Sequence, residues 1–159
     1  MFNWCISRVE RFYEEHKQGL YTYALSITRN RASAEDAVHT AIYKVLKSRI
    51  FPLELKPYIF RCVRNAAIDE WRTRKPEIID TLFDLTTIRE ENPGRLLWQD
   101  IEMALFQLSE DERETILLKT IDGMTFRQIA RITDSSINTI ASKYRRGLEK
   151  LKNQILHGR

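Results

Sequence analysis

Four prolines and five glycines in 159 residues are too few for a fold made of short strands and tight turns, which excludes a turn-rich all-β architecture. The two cysteines, Cys5 and Cys62, offer no disulfide framework. Cys62 sits among apolar residues at helical spacing and Cys5 near the start of the chain, so a reducing compartment is expected. The three histidines, His16, His39 and His157, have no cysteine or carboxylate partner at metal-ligand spacing. There is no glycine-rich phosphate loop either, so no cofactor is expected and no enzyme is indicated. No apolar run approaches the ~20 residues that span a bilayer. The opening MFNWCISR lacks the basic start and long apolar core of a signal peptide. No membrane insertion and a cytoplasmic location are the expectation.

What remains is helix-forming. Apolar residues make up 43% of the chain, enough for a packed interior, and the rest is rich in Arg, Glu and Lys. The net charge is only +4, from 26 basic and 22 acidic residues, so its distribution matters more than its size. Residues 56–75 hold six basic residues (Lys56, Arg61, Arg64, Arg72, Arg74, Lys75) and two acids. Residues 136–159 hold another six (Lys143, Arg145, Arg146, Lys150, Lys152, Arg159) and one acid. Between them, residues 76–100 hold six acids and two basic residues. Two positive segments separated by a negative one suggest two contacts with a polyanion, joined by a connector that avoids it.

Apolar residues recur at three- and four-residue steps in residues 4–28 (Val9, Phe12, Tyr13, His16, Leu20, Tyr23, Ala24, Ile27), which predicts a first helix with one buried stripe. Asn30 and Arg31 interrupt it. Ser33 is expected to cap a second helix reaching about Ser48, with Glu35 and Asp36 in its first turn and Ala37, Val38, Ala41, Ile42, Val45 and Leu46 inward. Residues 50–56 (IFPLELK) read as a loop leading to a third helix that starts with Pro57 at its first position and stops before Pro76. Weak periodicity and the turn cluster Asn92-Pro93-Gly94 mark residues 77–95 as a linker. Helical rhythm resumes at Leu96. Ser109 and Glu112 form a capping box ahead of a helix that ends at Gly123. Thr125 opens a short helix, residues 133–136 (TDSS) turn, and a longer helix runs from 137 to about 155. The expectation is an all-α protein of two small helical domains, residues 1–76 and 96–159, joined by a linker.

Two helices carry basic faces. At 100° per residue, Arg61, Arg64, Asn65, Ile68, Arg72 and Lys75 share an arc of roughly 100° on the third helix. Ile59, Cys62, Val63, Ala66 and Ala67 lie opposite, with Phe60 and Trp71 at the flank. On the last helix Ile137, Ile140, Tyr144, Leu148, Leu151 and Ile155 form the expected buried seam, while Asn138, Thr139, Ser142, Lys143, Arg145 and Arg146 point outward. A short helix, a four-residue turn and such a helix make a helix-turn-helix, whose second helix enters the major groove. Ala130 is small where the two helices must approach, and Ile129 and Ile132 would pack beneath Ile137 and Ile140. Arg and Lys would bind phosphates or guanine edges, and Ser and Thr base edges or backbone. For the third helix the bland alternative is an ordinary amphipathic helix with a solvated basic face, which stays open although Asn65 and Ile68 inside the charged arc point to a contact surface. For the last two helices it is a plain helical hairpin, against which the spacing and the polar N-terminal half of the last helix argue.

These residues resemble a known family. Residues 33–39 (SAEDAVH) are similar to the "DAEDLVQ" helix start of extracytoplasmic-function (ECF) sigma factors, and residues 57–72 (PYIFRCVRNAAIDEWR) to their "WLFxIARNxxxDxxR" helix. Residues 104–108 with 112–114 resemble "AL..LP...RE", residues 123–130 (GMTFRQIA) "G.S..EIA", and residues 138–143 (NTIASK) "GTVKSR". The pieces cover most of the chain and fall in the family's order.

The resemblance implies sigma regions 2 and 4, and a function in leading RNA polymerase to promoters. Glu35, Asp36 and His39 would dock on the β′ clamp of core polymerase, with the β flap as a further contact. Arg61, Arg64, Asn65 and Arg72, with the loop before them, would open the −10 element and hold a flipped base. Thr139, Ala141, Ser142, Lys143, Arg145 and Arg146 would read the −35 element, and Thr125, Arg127 and Gln128 would support the helix-turn-helix at phosphates. An anti-sigma factor is a partner such proteins often have, and the free protein is expected to be monomeric. The chain departs from the family at His39 (usually Gln), Tyr58-Ile59 (Trp-Leu), Ser109 (Pro), Gln128 (Glu), Thr133-Asp134 (often a Gly), Asn138 (Gly) and Ala141 (often basic). Asp134 can still take the left-handed conformation the turn needs.

Two rival readings stay open on the sequence. A stand-alone helix-turn-helix regulator would dimerise on a palindrome without polymerase. An interaction protein that does not bind DNA would not need Arg145 or Arg146.

Overall fold

A computed structural model of the chain describes residues 2–48, 51–74, 95–121 and 123–157. Among these residues every regular element is a helix: α1 Phe2–Thr28, α2 Arg31–Lys47, α3 Leu55–Thr73, α4 Arg95–Gln107, α5 Glu110–Ile121, α6 Phe126–Thr133 and α7 Ile137–His157. They form two compact units, one built on α1–α3 and the other on the C-terminal helices. The expected linker, 77–95, lies outside the described residues except at Arg95, where α4 begins.

In the first unit α1, α2 and α3 all pack on one another. The stripe expected on α1 is buried at Val9, Phe12, Leu20, Tyr23 and Ala24; Tyr13, His16 and Ile27 are half-buried. α2 contributes Ala37, Val38, Ala41 and Val45, and α3 contributes Ile59, Val63, Ala66 and Ala67. Phe60, expected at the flank, is fully buried and lies 5.8 Å from the Tyr23 ring, a tilted aromatic pair worth about 1 kcal/mol beyond the area it buries. Trp71, by contrast, is exposed.

Two helix starts differ from expectation. Asn30, not Ser33, caps α2: its Oδ1 accepts the Ser33 N–H at 2.9 Å. Arg29, in the left-handed region at φ 53°, reverses the chain after α1, so that Asn30 already stands where an N-cap is needed. Ser33 is therefore inside the helix and buried, and Glu35 and Asp36 are its fifth and sixth residues, past the first turn. α3 likewise begins at Leu55, so Pro57 is its third residue rather than its first. A proline is tolerated there because the first four helical N–H groups have no partner within the helix.

In the second unit α7 packs against α5 and α4. Ser109 and Glu112 form the expected reciprocal cap: the Glu112 N–H donates to Ser109 Oγ at 3.2 Å and the Ser109 N–H to Glu112 Oε2 at 3.4 Å. Gly123 follows α5 with φ +59°, a conformation glycine adopts without strain. Thr125 caps α6 in a second such box with Gln128. Asp134 takes the left-handed conformation, φ 54° and ψ 48°, as the turn requires, and Ser136 Oγ accepts the Thr139 N–H at 3.1 Å to open α7.

The seam of α7 agrees with expectation at Ile140, with Tyr144 and Leu151 half-buried, and is otherwise rotated towards Gly147. Its buried residues are Ile140 and Gly147, while Ile137 is 43% exposed and Leu148 and Ile155 are each 41% exposed. Gly147 sets this rotation. A Cβ added there would stand 2.5 Å from Ile116 Cδ1 and 3.5 Å from Glu112 Cβ, so α5 and α7 meet where one of them has no side chain.

Candidate nucleic-acid and polymerase interface

On α3 the arc expected to meet DNA is presented as the helical period requires, because the opposite face is committed to the core. Arg61, Asn65 and Arg72 are exposed, and Arg64 and Ile68 half-buried. Lys75 lies outside the described residues. Before the helix, Leu53 is 97% exposed, and its carbonyl accepts from Arg8 Nη2 at 3.4 Å. Cys62 and Cys5 are free thiols. Burial pushes the Cys62 thiol up despite the opposing influence of Lys44, a Tyr58 hydrogen bond and Arg61, which keeps it in the unreactive form.

The expected docking face on α2 is also open, with Glu35, Asp36 and His39 all exposed. His39 Nε2 and the Tyr21 hydroxyl hydrogen-bond at 2.9 Å, and Tyr21 continues to the Tyr13 hydroxyl at 3.2 Å. Burial first, then the Tyr13 contact and the nearby Glu35 charge, raises the Tyr21 phenol well above its usual value. Tyr21 therefore stays protonated and can donate to His39. Arg74, at the end of α3, donates to Ser33 Oγ at 3.1 Å and lies 3.8 Å from Asp36 and 3.9 Å from Glu70. These half-exposed ion pairs contribute little to stability; they leave Glu35 the less compensated of the two acids.

The helix-turn-helix presents Asn138, Thr139, Arg145 and Arg146 as exposed side chains, and Ala141 and Ser142 as half-buried ones. Ile129, Ile132 and Ile140 are fully buried and Ala130 nearly so. Thr125 and Arg127 are exposed. Gln128 Oε1 accepts the Thr125 N–H at 3.1 Å, so that oxygen is engaged in the cap.

Charge pairing on α7 was not legible in the sequence. Lys143, expected at a reading position, is 18% exposed and lies 3.2 Å from Asp111 Oδ2. Glu112, beyond capping α5, is 7% exposed and accepts from Lys150 Nζ at 2.9 Å and 3.0 Å, with Arg146 Nε at 3.9 Å. Burial alone would raise the Glu112 carboxyl. The Lys150 hydrogen bond and the Ser109 contacts outweigh it and hold the carboxyl below its usual value.

A folded-state value below the unfolded one means that ionised Glu112 stabilises the fold at pH above about 4.3, and that this contribution is lost as pH falls through the folded-state value. Between about pH 6 and about pH 3 the wild-type chain should therefore lose more thermal stability than Glu112→Gln, which keeps the cap and removes the titration. Parallel circular-dichroism melts of the two proteins check this; equal losses would remove Glu112 as an acid-sensitive group.

Among the described residues no group of three or more His, Cys, Asp or Glu could hold a metal ion, and no helix is long and apolar enough to cross a membrane.

The family model of sigma-70 region 2 matches residues 12–77, and that of sigma-70 region 4 matches residues 98–151. The chain is 26% identical over 139 residues to the ECF RNA polymerase sigma factor EcfG of Rhodopseudomonas palustris, covering 83% of this chain and 76% of that one. It is 26% identical over 155 residues to the RNA polymerase sigma factor SigZ of Bacillus subtilis, covering 94% and 88%. Among solved structures it is similar to the sigma factor RpoE of Bartonella quintana, crystallised with the anti-sigma factor NepR, at 27% identity and a TM-score of 0.71 over 94% of this chain and 99% of that one. With region 2 on the α1–α3 unit, region 4 on the helix-turn-helix unit and whole-length likeness to ECF factors, the chain belongs to the sigma-70 family, in its extracytoplasmic-function class.

Proposed function

We propose that this sigma factor brings core RNA polymerase to promoters by using its two basic helices at two separate places. In region 2, Arg61, Arg64, Asn65 and Arg72 of α3 meet the −10 element, where a positive face helps to offset the few kcal/mol needed to unstack a base. In region 4, Thr139, Ala141, Ser142, Lys143, Arg145 and Arg146 of α7 face the −35 element, and Thr125, Arg127 and Gln128 lie at the phosphates. Glu35, Asp36 and His39 of α2 dock on the β′ clamp, and region 4 meets the β flap. The protein acts in the cytoplasm, is monomeric when free, and is restrained by an anti-sigma factor.

The observation that carries this reading is the helix-turn-helix itself. Asp134 in the left-handed conformation turns the chain, Ser136 caps α7, and Thr139, Arg145 and Arg146 are exposed on the helix that follows. Such a helix N-terminus enters the major groove.

The test is run-off transcription with purified core polymerase over a randomised promoter library. Enriched transcripts sharing two spaced elements are the expected result, and initiation no better than core alone would overturn the reading. On a promoter so identified, Arg146→Ala should lower transcription by about five- to a hundredfold, as loss of a base or phosphate contact worth about 1–3 kcal/mol requires. Core binding should stay unchanged. Full activity of the variant would remove Arg146 from the reading face.

A further inference from the structure

Three cations of α7 are paired with acids of α5, Lys143 largely covered and Arg146 and Lys150 still more than half exposed. Lys143, Arg146 and Lys150 each approach a carboxylate in the first turn of α5: Lys143 at Asp111, 3.2 Å, and Arg146 and Lys150 at Glu112, 3.9 Å and 2.9 Å. Glu112 is buried and fixed in place, while Asp111 is 63% exposed and pairs with the half-buried Lys143. Both acids stand in the first turn of α5, where negative charge is favoured, and Glu112 is fixed further by its exchange of hydrogen bonds with Ser109. The close approach at Gly147 puts Glu112 Cβ 3.5 Å from where a Cβ at residue 147 would stand. A carboxylate that is 7% exposed is screened little by solvent and competes well with a phosphate for the same cation.

Resting on the reading of α7 as the −35 helix, we infer that Asp111 and Glu112 are positioning residues for promoter discrimination: they hold Lys143, Arg146 and Lys150 against α5, which limits sequence-independent attraction to phosphate. Each cation that goes to the DNA backbone must leave a carboxylate. Attraction to any duplex is thereby reduced, and contacts to base edges decide more of the binding. Arg145, for which no ion pair forms among the described residues, is left to meet the DNA directly.

Neutralising the acids should therefore raise affinity for the wrong DNA. Holoenzyme reconstituted from core polymerase and the full chain is titrated with two duplexes, one bearing the selected −35 element and one with that element scrambled, over a range of salt concentrations. Asp111→Asn and Glu112→Gln are expected to bind the scrambled duplex about three- to tenfold more tightly than wild type, and the log–log salt slope should steepen by about 0.9 for each cation released. The ratio of selected to scrambled affinity should fall by less than that factor, because the selected duplex gains part of the same sequence-independent attraction. A purely structural role for the two acids would weaken binding to both duplexes and flatten the slope, which overturns the inference. Unchanged scrambled affinity and slope overturn it as well. If Glu112→Gln loses helical ellipticity, Asp111→Asn decides alone, since that side chain is 63% exposed and not part of the core. Wild-type holoenzyme that does not distinguish the two duplexes takes down the −35 reading itself, a failure visible before any variant is compared.

Discussion

Gly147→Leu is expected to lower −35-dependent transcription strongly while leaving region 2 folded. At this position even a Cβ would approach Ile116 Cδ1 to 2.5 Å, and a leucine carries three more heavy atoms towards α5. Overpacking of this kind costs about 1–3 kcal/mol and is relieved only if α7 moves. The gain in helix propensity over glycine, about 1 kcal/mol, does not cover that cost. Displacing α7 also separates Glu112 from Lys150 and shifts every reading side chain. The loss in transcription should exceed about tenfold, the equivalent of about 1.4 kcal/mol. Gly147→Ala is the informative companion, because the atom it meets is the end of a flexible side chain: Ile116 can rotate away and the helix gains propensity, so a much smaller loss is expected. Transcription by Gly147→Leu within about twofold of wild type, from a promoter that needs its −35 element, would show that the close approach of α5 and α7 is not required.

Reversing both acids of α2, Glu35→Lys with Asp36→Lys, should weaken binding to core polymerase by on the order of a hundredfold, since like charges brought together at an interface cost several kcal/mol. Both side chains are exposed, and as the fifth and sixth residues of α2 they lie beyond the reach of its dipole. The variant should therefore fold normally. Glu35→Lys alone separates charge from structure, because Asp36 and its approach to Arg74 are then retained. Titration of fluorescently labelled sigma with core polymerase measures both variants, and wild-type affinity for the double variant would exclude this face as the docking site.

The helices were legible because apolar residues recur every three to four positions and because glycine and proline are scarce. The two caps at Ser109 and Thr125 were legible for a related reason: a capping box is complete within four residues. Asp134 could be placed in the left-handed region from its short side chain alone. The start of α2 was missed although Asn30 is as good a cap as Ser33, since local chemistry permits either. The left-handed turn at Arg29 decides between them. Pro57 shows the same limit, being allowed at any of several positions in a first turn.

For the site, the outward positions Thr139, Arg145 and Arg146 followed from the helical period. Lys143 did not, because its partner Asp111 lies on another helix. Glu112 was recognised as a cap, yet its pairing with Lys150 spans 38 residues and leaves no local signature. The seam of α7 was placed too far towards 148, by about half of the 100° step between neighbouring residues, because leucine at 148 is the better apolar residue and glycine at 147 carries no hydrophobic signal.

The order of helices, the two units and the helix-turn-helix were thus determined by sequence alone, because periodicity, caps and turns are short-range properties of neighbouring residues. Tertiary structure alone decided how far α7 is rotated about its own axis and which of its cations are already paired. Both depend on surfaces that meet only after the intervening chain has folded back, where close packing at Gly147 and a buried carboxylate at Glu112 outweigh the local pattern.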